Sequence, residues 1–195
     1  MKVILASQSP RRKELLKLIV PNFEILVSNE EEKLNSELSI EEQVIEIAYT
    51  KAKNVYNRTE GDRIVIGSDT IVTKDGKIYG KAKNREHAKE MIKELINGNK
   101  MHHIITGLCV LIEENGELKE YKTADIVNVY LKDITDEEID RWLDTGNAMD
   151  KAAAYGIQNE FCVHVDKIEG NYTSALGLPT HKVYDIIKEY IHKIN

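Results

Sequence analysis

Short apolar runs recur along the chain, and their length and spacing predict strands rather than buried helices. Asp75-Gly76 and Asn115-Gly116 each separate two such runs, and these dipeptides are typical of the tight turns that join antiparallel strands. The sequence therefore predicts two hairpins among several other strands. The predicted strands are Lys2–Ala6, Phe23–Ser28, Arg63–Gly67, Ile71–Lys74, Lys77–Gly80, His102–Glu113, Leu118–Lys132 and Phe161–Val165.

A second pattern, with apolar residues three or four positions apart, predicts helices between these strands. Ser39 and Glu42 form a capping-box pattern that predicts a helix to about Asn57. The strands and helices alternate irregularly and hairpins are mixed in, which predicts an α/β protein with a mixed twisted sheet and flanking helices. The other predicted helices run from Ser9-Pro10 to about Val20, from Asn84 to Asn97, from Thr135 to near Gly146 and from Pro179 toward the C-terminus.

The composition of the chain limits the kinds of molecule that it is expected to bind. The 195 residues carry a net charge of −6, so the surface as a whole does not favour a nucleic acid polymer, and an anionic ligand needs a local cluster of cations. No apolar run approaches the roughly 18 residues of a membrane-spanning helix, so we expect no membrane partner. The two cysteines, Cys109 and Cys162, are far apart in sequence, which indicates a reduced, cytoplasmic protein without a disulfide framework.

One basic segment stands out in this acidic chain. Ser9-Pro10 is typical of a helix start, yet Arg11, Arg12 and Lys13 follow in the first turn, where the helix dipole disfavours cations. A phosphate held by the helix N-terminus, the hydroxyls of Ser7 and Ser9 and the two guanidinium groups would explain this arrangement. The alternative is a solvated basic turn, which costs about 0.3–1 kcal/mol per charge.

Lys51 lies on the apolar stripe of the helix that starts after Ser39, where the stripe also contains Val44 and Val55. A lysine on the core-facing side either extends its ammonium group to the surface or faces a polar cavity. Both interpretations stay open, and an ammonium group aimed at a polyphosphate fits the second.

Three further charged positions could contribute chemistry. Asp69 ends an apolar run and could bind a divalent cation or act as a general base on water, although an aspartate in a turn is the ordinary alternative. Lys81 adds a cation after the next strand. Glu32, in a run of three glutamates, could add a metal ligand or lie in a solvated loop. His102 and His103 lack the spacing of a helical metal pair, so we expect them to be structural.

Several ordered motifs resemble the Maf family of nucleoside triphosphate pyrophosphatases along nearly the whole chain. They are LASQSPRRKELL at 5–16, EEEKLN at 30–35, YTKAKNV at 49–55, IVIGSDTIV at 64–72, GKAKN at 80–84, HHIITG at 102–107, MDKAAAYGIQ at 149–158 and GLP at 177–179. The DKAAAYGIQ form resembles the branch that acts on dTTP and UTP.

The resemblance implies a single Maf-like domain over residues 1–195, with two α/β lobes around a cleft, a cytoplasmic location and a homodimer. It implies cleavage of a nucleoside triphosphate to the monophosphate and pyrophosphate with a divalent cation, Mg²⁺ or Mn²⁺, in a house-cleaning role. The alternative is a nucleotide-binding regulator of septum formation with little turnover. By position, the implied catalytic residues are Asp69, Lys51 and Lys81, the substrate-binding residues are Ser7, Ser9, Arg11, Arg12, Thr70 and Gln158, and the metal ligands are Glu32 and Asp69.

This chain departs from the usual family pattern at a few positions. It has Ser68 where the family often has alanine, Ala82 where it often has proline, and Ala153 and Asn159 where it often has glycine. The implied specificity positions are Arg11, Thr70 and Gln158. The amide of Gln158 offers both a donor and an acceptor, as reading a uracil or thymine edge requires.

Overall fold

The computed structural model describes residues 1–30 and 35–194 of the chain. Its strands are hydrogen-bonded in the order β2-β1-β3-β5-β6-β7, and β4 pairs with β3. They are β1 (Lys2–Leu5), β2 (Glu24–Ile25), β3 (Arg63–Lys74), β4 (Lys77–Tyr79), β5 (Met101–Glu114), β6 (Glu117–Leu131) and β7 (Val165–Glu169). The β1 strand is parallel to β2 and β3, whereas β4 and β7 are antiparallel to their neighbours, which confirms the predicted mixed sheet.

Five of the six α-helices in the described residues begin at the predicted starts, and α5 was not predicted. The helices are α1 (Pro10–Lys17), α2 (Ile40–Tyr56), α3 (Arg85–Ile96), α4 (Asp136–Asp144), α5 (Tyr172–Ala175) and α6 (Thr180–Ile187), with 3₁₀ segments at Asn159–His164 and Lys188–Lys193. At the start of α2, the Ser39 N–H donates to Glu42 Oε2 at 2.8 Å and the Glu42 N–H donates to Ser39 Oγ at 3.3 Å. The capping box therefore satisfies two amide groups that the helix itself leaves unpaired.

Both predicted hairpin turns form as expected. Asp75 and Gly76 have φ values of 50° and 77°, and Asn115 and Gly116 have φ values of 53° and 83°. Two successive left-handed residues make the type of turn whose twist matches that of antiparallel strands. These turns join β3 to β4 and β5 to β6.

Three strand predictions differ from the structure. Of the predicted strand Phe23–Ser28, only Glu24–Ile25 is a strand. The β3 strand continues without a break through Ser68, Asp69 and Thr70, so Asp69 lies within the strand and not at its end. The fold gives Ser68 and Asp69 polar partners, and the strand therefore needs no turn at these residues. Phe161–Val165 is mostly a 3₁₀ segment, and β7 begins only at Val165. Phe161 is buried against other aromatic rings while Val163 is exposed, so this segment lacks the two-residue periodicity of a strand.

The chain forms two compact units. The first comprises Met1–Asp69, Thr106–Asp125 and Leu176–Asn195, and the second comprises Thr70–Ile105 and Ile126–Ala175. In the second unit, α3 packs on α4, and Lys89 Nζ lies 2.6 Å from Asp140 Oδ2. Within residues 1–30 and 35–194, none of the helices combines the length and the apolar character that a bilayer crossing requires.

In the first unit, α2 lies unusually close to two strands. A Cβ atom on Gly67 of β3 would lie 2.3 Å from the Ala48 carbonyl oxygen, and one on Gly107 of β5 would lie 2.3 Å from the Val44 carbonyl oxygen. Real Cβ atoms do not approach so closely, and only glycine allows this packing. The two glycines therefore set the distance of α2, and of Lys51 on it, from β3.

Candidate active site

The first unit contains a nearly buried ion pair between α2 and β3. Lys51 Nζ donates to Asp69 Oδ1 at 2.6 Å, and the two side chains are 13% and 11% exposed. Asp69 lies two residues after Gly67, so its side chain shares the strand face that packs against α2. The ammonium group of Lys51 therefore meets a polar partner and is largely shielded from solvent, while a role of Lys51 toward a phosphate stays a prediction.

Arg12 brings a second cation to the same carboxylate. Its Nη2 atom lies 4.0 Å from Asp69 Oδ1, and its side chain is 12% exposed. Two more contacts orient the guanidinium group: Nε donates to the Gly177 carbonyl at 2.9 Å and Nη1 donates to Ser7 Oγ at 3.2 Å. With Lys51, the cluster carries two positive charges against one negative charge, which favours an anionic ligand.

The turn that leads into α1 completes this cluster. The Ser9 N–H donates to Ser7 Oγ at 3.2 Å, so Ser7 accepts from both the turn and Arg12. Ser9 occupies the N-cap position, but its side chain does not cap the helix, and Pro10 is the first helical residue. The positive end of α1 and its basic first turn therefore lie beside the Arg12–Asp69 contact.

Two residues of this cluster were missed as contributors by the sequence analysis. The buried Ser68 hydroxyl lies 2.9 Å from the carbonyl oxygens of both Gly107 and Gly177, and Gly177 also accepts from Arg12. Gly177 has a φ of 106°, a conformation that favours glycine. The GLP motif at 177–179 was a signal for this position, but no local pattern links it to residues 12 and 68.

The remaining predicted site residues are located as follows. Arg11 follows Pro10 in α1 and is half-buried, and Thr70 follows Asp69 on β3 in the second unit. Lys81 is exposed and forms a β-bridge with Ala152. Gln158 is half-buried just before the 3₁₀ segment, which its side chain does not cap. Glu32 lies outside the described residues. The roles of these residues stay predictions.

The segment around Gln158 has left-handed backbone at Ala153 and Ala154 before it and at Asn159 after it, with φ values of 56°, 59° and 62°. Each of these residues adopts a backbone conformation that favours glycine. The Ala153 N–H donates to the Gly80 carbonyl at 2.9 Å, and Trp142 Nε1 donates to the Ala154 carbonyl at 2.8 Å. These bonds hold the loop despite the unfavourable backbone.

The two neighbouring histidines occupy opposite faces of β5, as expected. His102 is fully buried with Nε2 against the Tyr155 hydroxyl, and burial lowers the pKa of His102 to about 4. His103 Nδ1 lies 2.8 Å from Asn128 Oδ1. Both contacts are those of structural side chains. Within the described ranges, no group of three or more histidine, cysteine, aspartate or glutamate side chains is arranged to hold a metal ion.

The fold and this cluster define an α/β protein with a nearly buried, cation-rich group of side chains suited to a polyanion. The chain belongs to the Maf family, because the family model described as "Maf-like protein" matches residues 2–190. The resemblance noted from the motifs is thereby confirmed, while the extent of a single domain over residues 1–195 stays a prediction.

Relatives match over nearly their full lengths. A dTTP/UTP pyrophosphatase of Alkaliphilus oremlandii is 45% identical over 188 residues, covering 96% of this chain and 95% of the relative. One of Alkaliphilus metalliredigens is 43% identical over 193 residues, covering 98% and 97%. A solved HAM1 protein from Coxiella burnetii aligns with a TM-score of 0.46 and 13% identity, over 97% of this chain and 99% of the other, which is too distant to inform on chemistry.

Proposed function

We propose that this chain is a nucleoside triphosphate pyrophosphatase that hydrolyses dTTP and UTP, and modified pyrimidine nucleotides, to the monophosphate and pyrophosphate. The observation that carries the proposal is the contact of Arg12 and Lys51 with Asp69, which combines anion-binding groups with a general base. The names of the relatives support the choice of nucleotide.

In the proposed reaction, Asp69 accepts a proton from a water molecule whose oxygen bonds to the α-phosphorus. The bond between that phosphorus and the α,β-bridging oxygen breaks, and pyrophosphate leaves with the electron pair. Lys51 holds Asp69 Oδ1 through its 2.6 Å hydrogen bond and so orients the carboxylate. Arg12 binds phosphate oxygens and stabilises the charge that develops on the leaving group.

A triphosphate carries close to four negative charges, and the proposed binding set offers a proportionate number of cations. Arg11 and Lys81 join Arg12 and Lys51 in this set, with Ser7 and Ser9 as hydroxyl donors. We assign base recognition to Gln158, with Thr70 and Arg11, because a primary amide matches the alternating carbonyl and N–H groups of uracil and thymine.

The proposal includes a divalent cation, Mg²⁺ or Mn²⁺. In the part of the chain that the structure describes, no three-ligand site exists, and Asp69 is the carboxylate of the cluster. This donor set fits a hard cation bound by one or two carboxylates and by substrate phosphates, which is the usual mode for Mg²⁺. Asp69 and Glu32 would hold it, and it would neutralise phosphate charge when bound.

The decisive experiment incubates the protein with each NTP and dNTP plus Mg²⁺ or Mn²⁺ and measures pyrophosphate and orthophosphate separately. Pyrophosphate released from dTTP and UTP supports the proposal. Orthophosphate alone contradicts the proposed bond cleavage, and tight nucleotide binding without turnover favours the regulator. Omission of the metal tests the cation, and size-exclusion chromatography with light scattering tests the expected homodimer.

A further inference from the structure

Ser68 is a fully buried polar residue at the centre of β3, next to Asp69 but on the opposite face of the strand. Its hydroxyl oxygen lies 2.9 Å from the Gly107 carbonyl oxygen on β5 and 2.9 Å from the Gly177 carbonyl oxygen. A serine hydroxyl has one proton, which these two carbonyl groups share. Ser68 thereby ties the segment around Gly177 to both strands.

The same Gly177 oxygen accepts a second hydrogen bond, from Arg12 Nε at 2.9 Å. Ser68 and Arg12 therefore meet at one acceptor. The orientation of that carbonyl depends on the φ of 106° at Gly177, which a residue with a side chain adopts only under strain. The oxygen is thus fixed by the backbone on one side and by Ser68 on the other.

We propose that Ser68 is a positioning residue for Arg12. By holding the Gly177 carbonyl, Ser68 fixes the Nε end of the guanidinium group and so aims the Nη atoms toward Ser7 and Asp69, where the phosphates bind. The phosphate part of this inference rests on the proposed function.

Positioning Arg12 should raise the affinity for phosphate because a free arginine side chain samples many rotamers. Arginine loses much of its rotamer freedom when it is ordered, and ligand binding carries that entropic cost unless the protein has already ordered the side chain. Removing the Ser68 hydroxyl leaves the Gly177 carbonyl with one fewer tether, so part of the ordering of Arg12 is lost before substrate binds. Affinity for phosphate should fall, and the stabilisation that Arg12 gives the leaving group should weaken with it.

The test is a double-mutant cycle with Ser68→Ala and Arg12→Lys. Arg12→Lys keeps the charge but lacks the Nε–H that reaches Gly177. We expect Ser68→Ala alone to lower kcat/KM for UTP about fivefold, the worth of one hydrogen bond, because Arg12 acts on both the bound phosphates and the leaving group. In the Arg12→Lys background, Ser68→Ala should have no further effect, because the partner through which Ser68 acts is already gone.

The wild type, the two single variants and the double variant are also titrated with inorganic tripolyphosphate by calorimetry. The test of Ser68 therefore does not depend on turnover. If the wild type releases no pyrophosphate, the proposed function fails, and the dissociation constants for tripolyphosphate still decide the role of Ser68. Equal effects of Ser68→Ala in both backgrounds, or no effect in the wild-type background, would overturn the proposal.

Thr73→Val is the matched control, because it removes another buried hydroxyl from β3 outside this cluster. Thr73→Val should leave kcat/KM and the affinity for tripolyphosphate unchanged. If it lowers that affinity as much as Ser68→Ala does, loss of any buried hydroxyl from β3 has this effect, and the proposal is overturned. If Ser68→Ala does not fold, as judged by circular dichroism, Ser68→Cys carries the same comparison, because a thiol is a weaker hydrogen-bond donor.

Discussion

Gly67→Ala tests whether the close approach of α2 to β3 builds the candidate active site. The new Cβ would lie 2.3 Å from the Ala48 carbonyl oxygen and 2.9 Å from both the amide nitrogen and the Cβ of Ala52. The first distance is about 1 Å shorter than an ordinary contact, and the opposing atoms are two helix backbone atoms and an alanine Cβ, none of which can rotate away. Helix α2 must therefore move away from β3 by about 1 Å.

The expected cost follows from this displacement. Overpacking a well-packed core costs about 1–3 kcal/mol, and the backbone contacts put Gly67→Ala at the upper end, about 3 kcal/mol. For a chain of this size, such a loss lowers the melting temperature by roughly 6–12 °C. Lys51 lies between Ala48 and Ala52 on the displaced helix, and a 1 Å error at a catalytic group can lower kcat about 100-fold.

Urea denaturation of the wild type and the variant measures the free energy of unfolding, and pyrophosphate release measures kcat. The control is Gly80→Ala, because a Cβ there has no atom within 4 Å and the backbone is not left-handed. The control should change stability by less than about 1 kcal/mol. A Gly67→Ala protein as stable as Gly80→Ala would refute the inference that glycine sets the position of α2.

Three further predictions concern the base, the buried histidine and the strained loop. Asp69→Asn should lower kcat by about 100-fold to 10,000-fold while nucleotide affinity changes little, and near-normal turnover would exclude Asp69 as the base. The folded-state pKa of His102, about 4, lies below its usual 6.5, so the unfolded state binds more protons and stability falls as the pH drops from 6.5 to 4. The free energy of unfolding, measured by urea denaturation, should fall by about 2 kcal/mol between pH 7 and pH 5 because of this group. His102→Gln should reduce this dependence of stability on pH, and an unchanged dependence would mean that other groups cause it. Ala153→Gly should raise the free energy of unfolding by about 0.5–1 kcal/mol because its φ is 56°, and a destabilised variant would argue against left-handed strain there.

Much of the secondary structure could be predicted because its determinants are local. The box of Ser39 and Glu42 requires only residues three positions apart, and α2 begins immediately after it. Asn115-Gly116 likewise specifies its turn by its own backbone preferences, and the turn forms with both residues left-handed. Such signals act over a few residues, so neighbouring sequence suffices to detect them.

The errors came from segments whose conformation depends on distant partners. Ser68 and Asp69 look like turn residues because their side chains are polar, but Gly107, Gly177 and Lys51 satisfy them inside a continuous strand. Long-range contacts of this kind override local preference, and no spacing rule in the sequence announces them.

The sequence by itself determined the family, the starts of the five longer helices, the hairpin turns and the types of charged residue available for phosphate chemistry. Only the tertiary structure decided that Lys51 and Arg12 meet the carboxylate of Asp69, and that Gly177 orients Arg12. The physical reason is distance along the chain: caps and turns are set by adjacent residues, whereas Arg12 and Gly177 lie 165 residues apart and meet only after the core has packed.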